Sequence, residues 1–175
     1  MGDSAVWVAA FTGGTAVLAS WVATMGSVRA ARVQAEETAR AQHRLRVREL
    51  RRAAYLELME RSHAMGELYR QVVDAYFQLA GSERFLTRCQ EIRGAVREAY
   101  DPLLRGVRVV RLEGPAQVAE AAQAVLAAAT EVSRALWHVC RGEPEARVRF
   151  DAARDACLVS LDRFAETARA VMDVA

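Results

Sequence analysis

Residues 5–28 carry no charged side chain, and Arg29 and Arg32 follow them directly. As a helix those 24 residues can cross a bilayer, whose hydrocarbon core takes roughly 20 apolar residues. A domain this small has no need of a helix that is apolar on every side. The segment is therefore expected to be a single-pass transmembrane helix covering residues 1–28. It is a weak inserter, because 14 of the 24 residues are Ala, Gly, Ser or Thr. Trp7 stands where an interfacial aromatic belongs, and Trp21 sits deeper.

Charge gives the orientation. Only Asp3 and the α-amino group precede the run, whereas residues 29–54 hold eight Arg against three Glu. Positive charge beside a span stays cytoplasmic, so the N-terminus is expected outside and the remainder in the cytoplasm. A cleaved signal peptide would need a basic stretch ahead of the apolar one, and Met-Gly-Asp-Ser supplies none. The Met-Gly start lacks the Ser or Thr of a myristoylation signal, with Val6 in its place.

Within the run, Ala9, Gly13, Ala16, Ser20, Ala23 and Ser27 recur at spacings of four and three, while Trp7, Phe11, Leu18, Val22 and Met25 occupy the other side. Helices in lipid approach closely along such stripes, so a homo-oligomer with contact through these six residues is expected. Arg29, Arg32, Arg40 and Arg44 are expected to meet anionic membrane lipid, at about 1 kcal/mol per basic residue near the surface. Residues 29–54 contain neither Gly nor Pro and are polar nearly all round, which predicts a solvated helical stalk continuing the span. No aromatic residue interleaves these arginines, which argues against a nucleic-acid groove.

From Tyr55 onward the pattern becomes that of a packed domain. Three heptad series run together, Tyr55/Ser62/Tyr69/Tyr76, Leu58/Met65/Val72/Leu79 and Met59/Gly66/Val73/Ala80, which is the apolar face of a bundle helix. Gly81 stops it and Ser82 is positioned to cap the next. Phe85, Cys89, Ile92, Val96 and Ala99 then alternate four and three, and Leu103, Val107 and Val110 extend the series past Pro102. The Asp101-Pro102 step reads as a kink or a fresh cap, and the β-branched cluster after it leaves a short strand open. Gly114-Pro115 restarts the chain, Val118 to Val139 keeps a strict four-three stripe, and Gly142-Glu143-Pro144 ends it. Phe150, Ala153, Cys157, Leu161, Phe164, Ala168 and Val171 mark a fourth helix. The expected fold class is thus all-α: an N-terminal transmembrane helix, a helical stalk, and an antiparallel four-helix bundle over residues 55–175.

Chemistry is sparse. All 24 basic residues are Arg and none is Lys, a bias that reads as GC-rich coding. Cys89, Cys140 and Cys157 have neither the number nor the spacing of a disulfide framework or zinc site, and each falls on an apolar stripe where free Cys acts as a core residue. Glu60 and His63 form one Glu-x-x-His unit, but a bundle di-metal site needs two, and Ala135 stands three residues before His138. Trp137-His138 reads as an edge aromatic that packs. No phosphate loop, dinucleotide fingerprint or nucleophile-base pair is present. No enzyme activity, cofactor or metal is expected.

The order of an Ala/Gly/Thr-rich span (VWVAAFTGGTAVLASWV), an Arg/Ala/Gln stalk (SVRAARVQAEETARAQ), then RELRRAAYLELM and LEGPAQVAEAA resembles the small, uncharacterised membrane-anchored helical proteins common in actinobacteria. That resemblance implies topology, with no substrate and no functional residues. Two classes of function are expected from the whole: a membrane-tethered scaffold that self-associates and recruits a cytoplasmic protein partner, or a holin-like or defence-associated effector that permeabilises the bilayer. The first is favoured because a pore lining would show more than scattered Ser and Thr.

If the small-residue stripe is a helix contact, Gly13→Ile or Ala16→Ile will weaken oligomers by about 1–2 kcal/mol, and Leu18→Ile will not. Cross-linking in bilayers reads the difference, and equal effects on both faces would reduce the span to a plain anchor.

Overall fold

The computed structural model describes the backbone of residues 3–79 and 81–174 and the side chains of residues 34–79 and 81–173. Four helices follow in order: α1 Asp3–Leu79, α2 Glu83–Glu113, α3 Ala116–Val139 and α4 Ala146–Val174. No strand occurs among the described residues. The small-residue stripe, with Ala9, Gly13, Ala16, Ser20, Ala23 and Ser27, and Arg29 and Arg32 of the expected lipid contact lie outside the described side chains. Among residues 34–79 and 81–173 no helix is long and apolar enough to cross a membrane, and the expected span at residues 1–28 lies outside them.

The chain divides into two compact units, Met1–Val47 and Arg48–Ala175. In the first, Arg40 and Arg44 are exposed, and Arg40 pairs with Glu36 at 3.5 Å. Pairs of this kind one turn apart add only about 0.3–0.5 kcal/mol. The polar, unstriped sequence of residues 34–47 accordingly buries no side chain.

The second unit is an antiparallel bundle. Tyr55 meets Phe164 and Tyr69 meets Phe150 edge to face, so residue numbers rise along α1 as they fall along α4. Tyr76 meets Phe85, and Arg61 Nη1 donates to Pro102 O at 2.8 Å, which runs α2 against α1 in the same sense. Tyr100 and Thr130 share a hydrogen bond of 3.1 Å between α2 and α3. The stripe on α3 is the most completely buried of the four: Val118, Ala122, Val125, Ala129, Val132, Leu136 and Val139 are all in the core. Leu58, Met65 and Val72 of α1, Leu103, Val107 and Val110 of α2, and Phe150 and Phe164 of α4 complete it.

Two arginines of the predicted stalk have a different use. Arg48 Nη2 donates to Met172 O and Arg51 Nε to Glu113 O, both at 2.7 Å. Each places a cation on a carbonyl at the C-terminal end of a helix, where partial negative charge collects.

The connections are local solutions. Gly81 sits at φ 80°, a left-handed conformation that ends α1 without a Cβ clash. Ser82 occupies the N-cap position of α2, yet its hydroxyl turns back to Leu79 O at 2.7 Å rather than capping the first turn. At Gly114 a Cβ would stand 2.7 Å from Val110 O and 3.1 Å from the Tyr55 hydroxyl, so only glycine fits beneath Tyr55. Pro102 lies inside α2, which passes through it unbroken, and the segment left open between kinked helix and strand is helix. The buried stripe of Leu103, Val107 and Val110 holds the helix in line beyond the proline.

Phe164→Ala and Phe150→Ala should each destabilise the bundle by about 3–5 kcal/mol, as removal of a buried aromatic does. Urea unfolding followed by helical circular dichroism measures this.

Candidate functional site

Between its two aromatic contacts, the seam of α1 and α4 is incompletely filled. Between Phe150 and Phe164 α4 contributes no fully buried side chain, and Ala153, Cys157 and Leu161 are only partly covered. Opposite them on α1 stand Ser62 and Gly66. A Cβ built on Gly66 meets nothing within 4 Å, so no close approach of backbones requires glycine there. A glycine inside a helix costs about 1 kcal/mol relative to Ala. What it leaves is space: a cavity of about 300 Å³ opening between the two helices. Met65, Leu103, Val125, Ala129 and Leu161 form apolar lining, and His63, Glu67, Arg70 and Arg154 contribute the polar part.

Apart from His63, the polar groups of the lining are engaged within the protein. Ser62 Oγ donates to Leu58 O at 2.8 Å. The Tyr69 hydroxyl donates to Ala129 O at 3.0 Å and lies 3.2 Å from Ser133 Oγ. Arg70 is held between Glu67, at 2.9 Å, and Asp74, at 2.7 Å. Its hydrogen bond lowers the Glu67 carboxyl below its ordinary value. Arg154 Nη2 reaches Asp155 Oδ1 at 3.0 Å. Burial pushes the Cys157 thiol up, so it stays protonated at neutral pH. A second, more polar cavity of about 420 Å³ lies between α2 and α3, lined by Arg93, Arg97, Tyr100, Asp101, Ser133 and Trp137 among others.

The other residues singled out in the sequence are placed as follows. Glu60 and His63 are exposed on α1. Among the described residues no three His, Cys, Asp or Glu side chains converge as a metal ion would need. Trp137 is half exposed, with the Arg141 guanidinium stacked on its ring at 4.6 Å, and His138 Nδ1 pairs with Glu143 at 2.6 Å. The pair therefore helps close the turn between α3 and α4. Cys89 and Cys140 are free and buried. Interaction between the two thiols pushes Cys89 up and pulls Cys140 down, with Arg93 assisting the latter. Spacing in the chain gave no sign of that pairing, since it depends on how α2 lies along α3.

No known protein family, curated protein or solved structure matches this chain.

Burial pushes the Tyr69 phenol well above its ordinary value of 10.0, and its bond to Ser133 only partly offsets this. In the unfolded chain the phenol ionises near pH 10, whereas the native state keeps its proton. The contribution is thus fully present below about pH 10 and is lost as pH rises beyond it. Tyr69→Phe should cost about 1 kcal/mol at pH 8 and flatten the alkaline loss of stability. Urea titrations at pH 8 and pH 11 test this, and parallel pH profiles for the two proteins would contradict it.

Proposed function

We propose that the protein is a membrane-tethered helical interaction protein. Residues 5–28 anchor it with the N-terminus outside, residues 29–54 leave the membrane as a basic stalk, and the bundle works in the cytoplasm. In this reading the spans associate through the small-residue stripe, and the bundle recruits a cytoplasmic protein partner without catalysing a reaction. The observation that carries it is the order along one helix: an uncharged run of 24 residues, then Arg29 and Arg32, on the helix that continues to Leu79 in the bundle. The positive-inside rule supplies the orientation. Phe77, 78% exposed beside Tyr76, and half-exposed Trp137 are the aromatic positions at which partner contact is to be sought, since aromatics are enriched at interface hot spots.

A reporter fused after Ala175 that fluoresces only in the cytoplasm should be bright, and a periplasm-active one should be silent. Removal of residues 1–28 should release a helical, soluble protein from the membrane fraction. The reverse reporter pattern, or aggregation of the truncated chain with loss of helical circular dichroism, would overturn the reading. Expression that makes cells leak dye would favour the permeabilising alternative.

A further inference from the structure

We propose that the slot between α1 and α4 is a binding site for a small uncharged molecule with a hydrocarbon chain. The proposal is independent of the membrane reading, because every residue of the slot lies in the compact unit Arg48–Ala175.

The ligand class follows from what the lining lacks. Ser62, Tyr69, Arg70 and Arg154 already have hydrogen-bond partners inside the protein. The two arginines are each matched by carboxylates, Glu67 and Asp74 for one and Asp155 for the other. An entering anion or cation would have to break a pair that exists. Water that enters the open cleft finds few unpaired polar groups along Met65, Leu103, Val125, Ala129 and Leu161, so an apolar guest displaces it at little cost. The exception, His63, is exposed at the rim, where it can meet a hydroxyl but does not line the floor.

Size and shape narrow the class further. A volume of about 300 Å³ is at the lower end of ligand pockets. From Ser62 to Arg70 the α1 side of the slot runs about 12 Å at 1.5 Å per residue. A cleft of that length and volume, with Tyr69 in its lining, suits a single extended chain better than a fused ring system. Gly66 stands where the heptad series calls for a core side chain, and its omission is what opens the slot.

Cys157 lines the slot and is partly exposed, whereas Cys89 and Cys140 are buried elsewhere. It is therefore a built-in reporter. The full-length chain is treated with N-ethylmaleimide, and alkylation of each cysteine is timed by mass spectrometry with 1-octanol, octanoate or octylammonium at equal concentration. Alkylation of Cys157 should be faster than that of Cys89, and octanol should slow it at least fivefold while the two charged analogues slow it less than twofold. Gly66→Leu should fill the slot and slow Cys157 alkylation without octanol, leaving no further effect to add. Ser62→Leu, one turn away, should do the same if the first variant folds poorly. The proposal is overturned if Cys157 reacts no faster than Cys89, if no analogue protects it, if a charged analogue protects as well as octanol, or if octanol protection survives both substitutions.

Discussion

Tyr69 is the residue on which the bundle turns. Its ring stands edge-on to Phe150 of α4, its hydroxyl donates to the Ala129 carbonyl of α3, and it is almost wholly buried in doing so. One side chain of α1 thus fixes the height of that helix against two others. Such a bond from a buried phenol is directional, whereas apolar contact alone would permit α1 to slide by a residue. Ser133 donates to the same carbonyl at 2.9 Å, so the hydroxyl joins a small network rather than an isolated acceptor. The Tyr55–Phe164 contact repeats the constraint toward the other end of the seam. With both ends set by aromatic contacts, the small residues between them cannot draw the helices together, and the cavity beside Gly66 is the geometric remainder.

That arrangement separates two functions of the sequence. The stripe on α3 makes a close-packed centre, because Val and Ala at four-three spacing let neighbouring helices approach. The α1–α4 seam has aromatic pairs toward its ends, and between them Ser62, Gly66 and Cys157 leave an open cleft unfilled. An apolar cleft left facing water forgoes the burial that would stabilise the fold, and binding supplies a reason for it. The membrane-tethered reading rests on a separate part of the chain, residues 1–54, and the two stand apart.

Much of the fold was legible because helix periodicity is local. The α3 stripe, the stops at Gly81 and Gly142, and the restart at Pro115 follow from residues within a few positions of one another. Pro102 was ambiguous for a physical reason: local propensity weighs against a helix there, and the burial of Leu103, Val107 and Val110 outweighs it. Ser82 had the chemistry of a cap, but the Leu79 carbonyl competes for its hydroxyl. By pattern alone Gly66 is one member of a core series. Its consequence depends on α4 presenting Cys157 across the same cleft, and no local pattern encodes that. The same holds for the coupling of Cys89 with Cys140, and for Arg48 and Arg51, which sequence polarity assigns to a solvated stalk while their geometry caps α4 and α2.

The central claim is that one seam of the bundle is left unfilled beside Gly66. Urea unfolding tests it directly, since a side chain added to an unfilled apolar cleft gains buried area, whereas one added to a filled site is overpacked. Gly66→Leu is expected to be more stable than Gly66→Ala. A Leu variant less stable than the Ala variant would mean that the space beside Gly66 is already filled in solution.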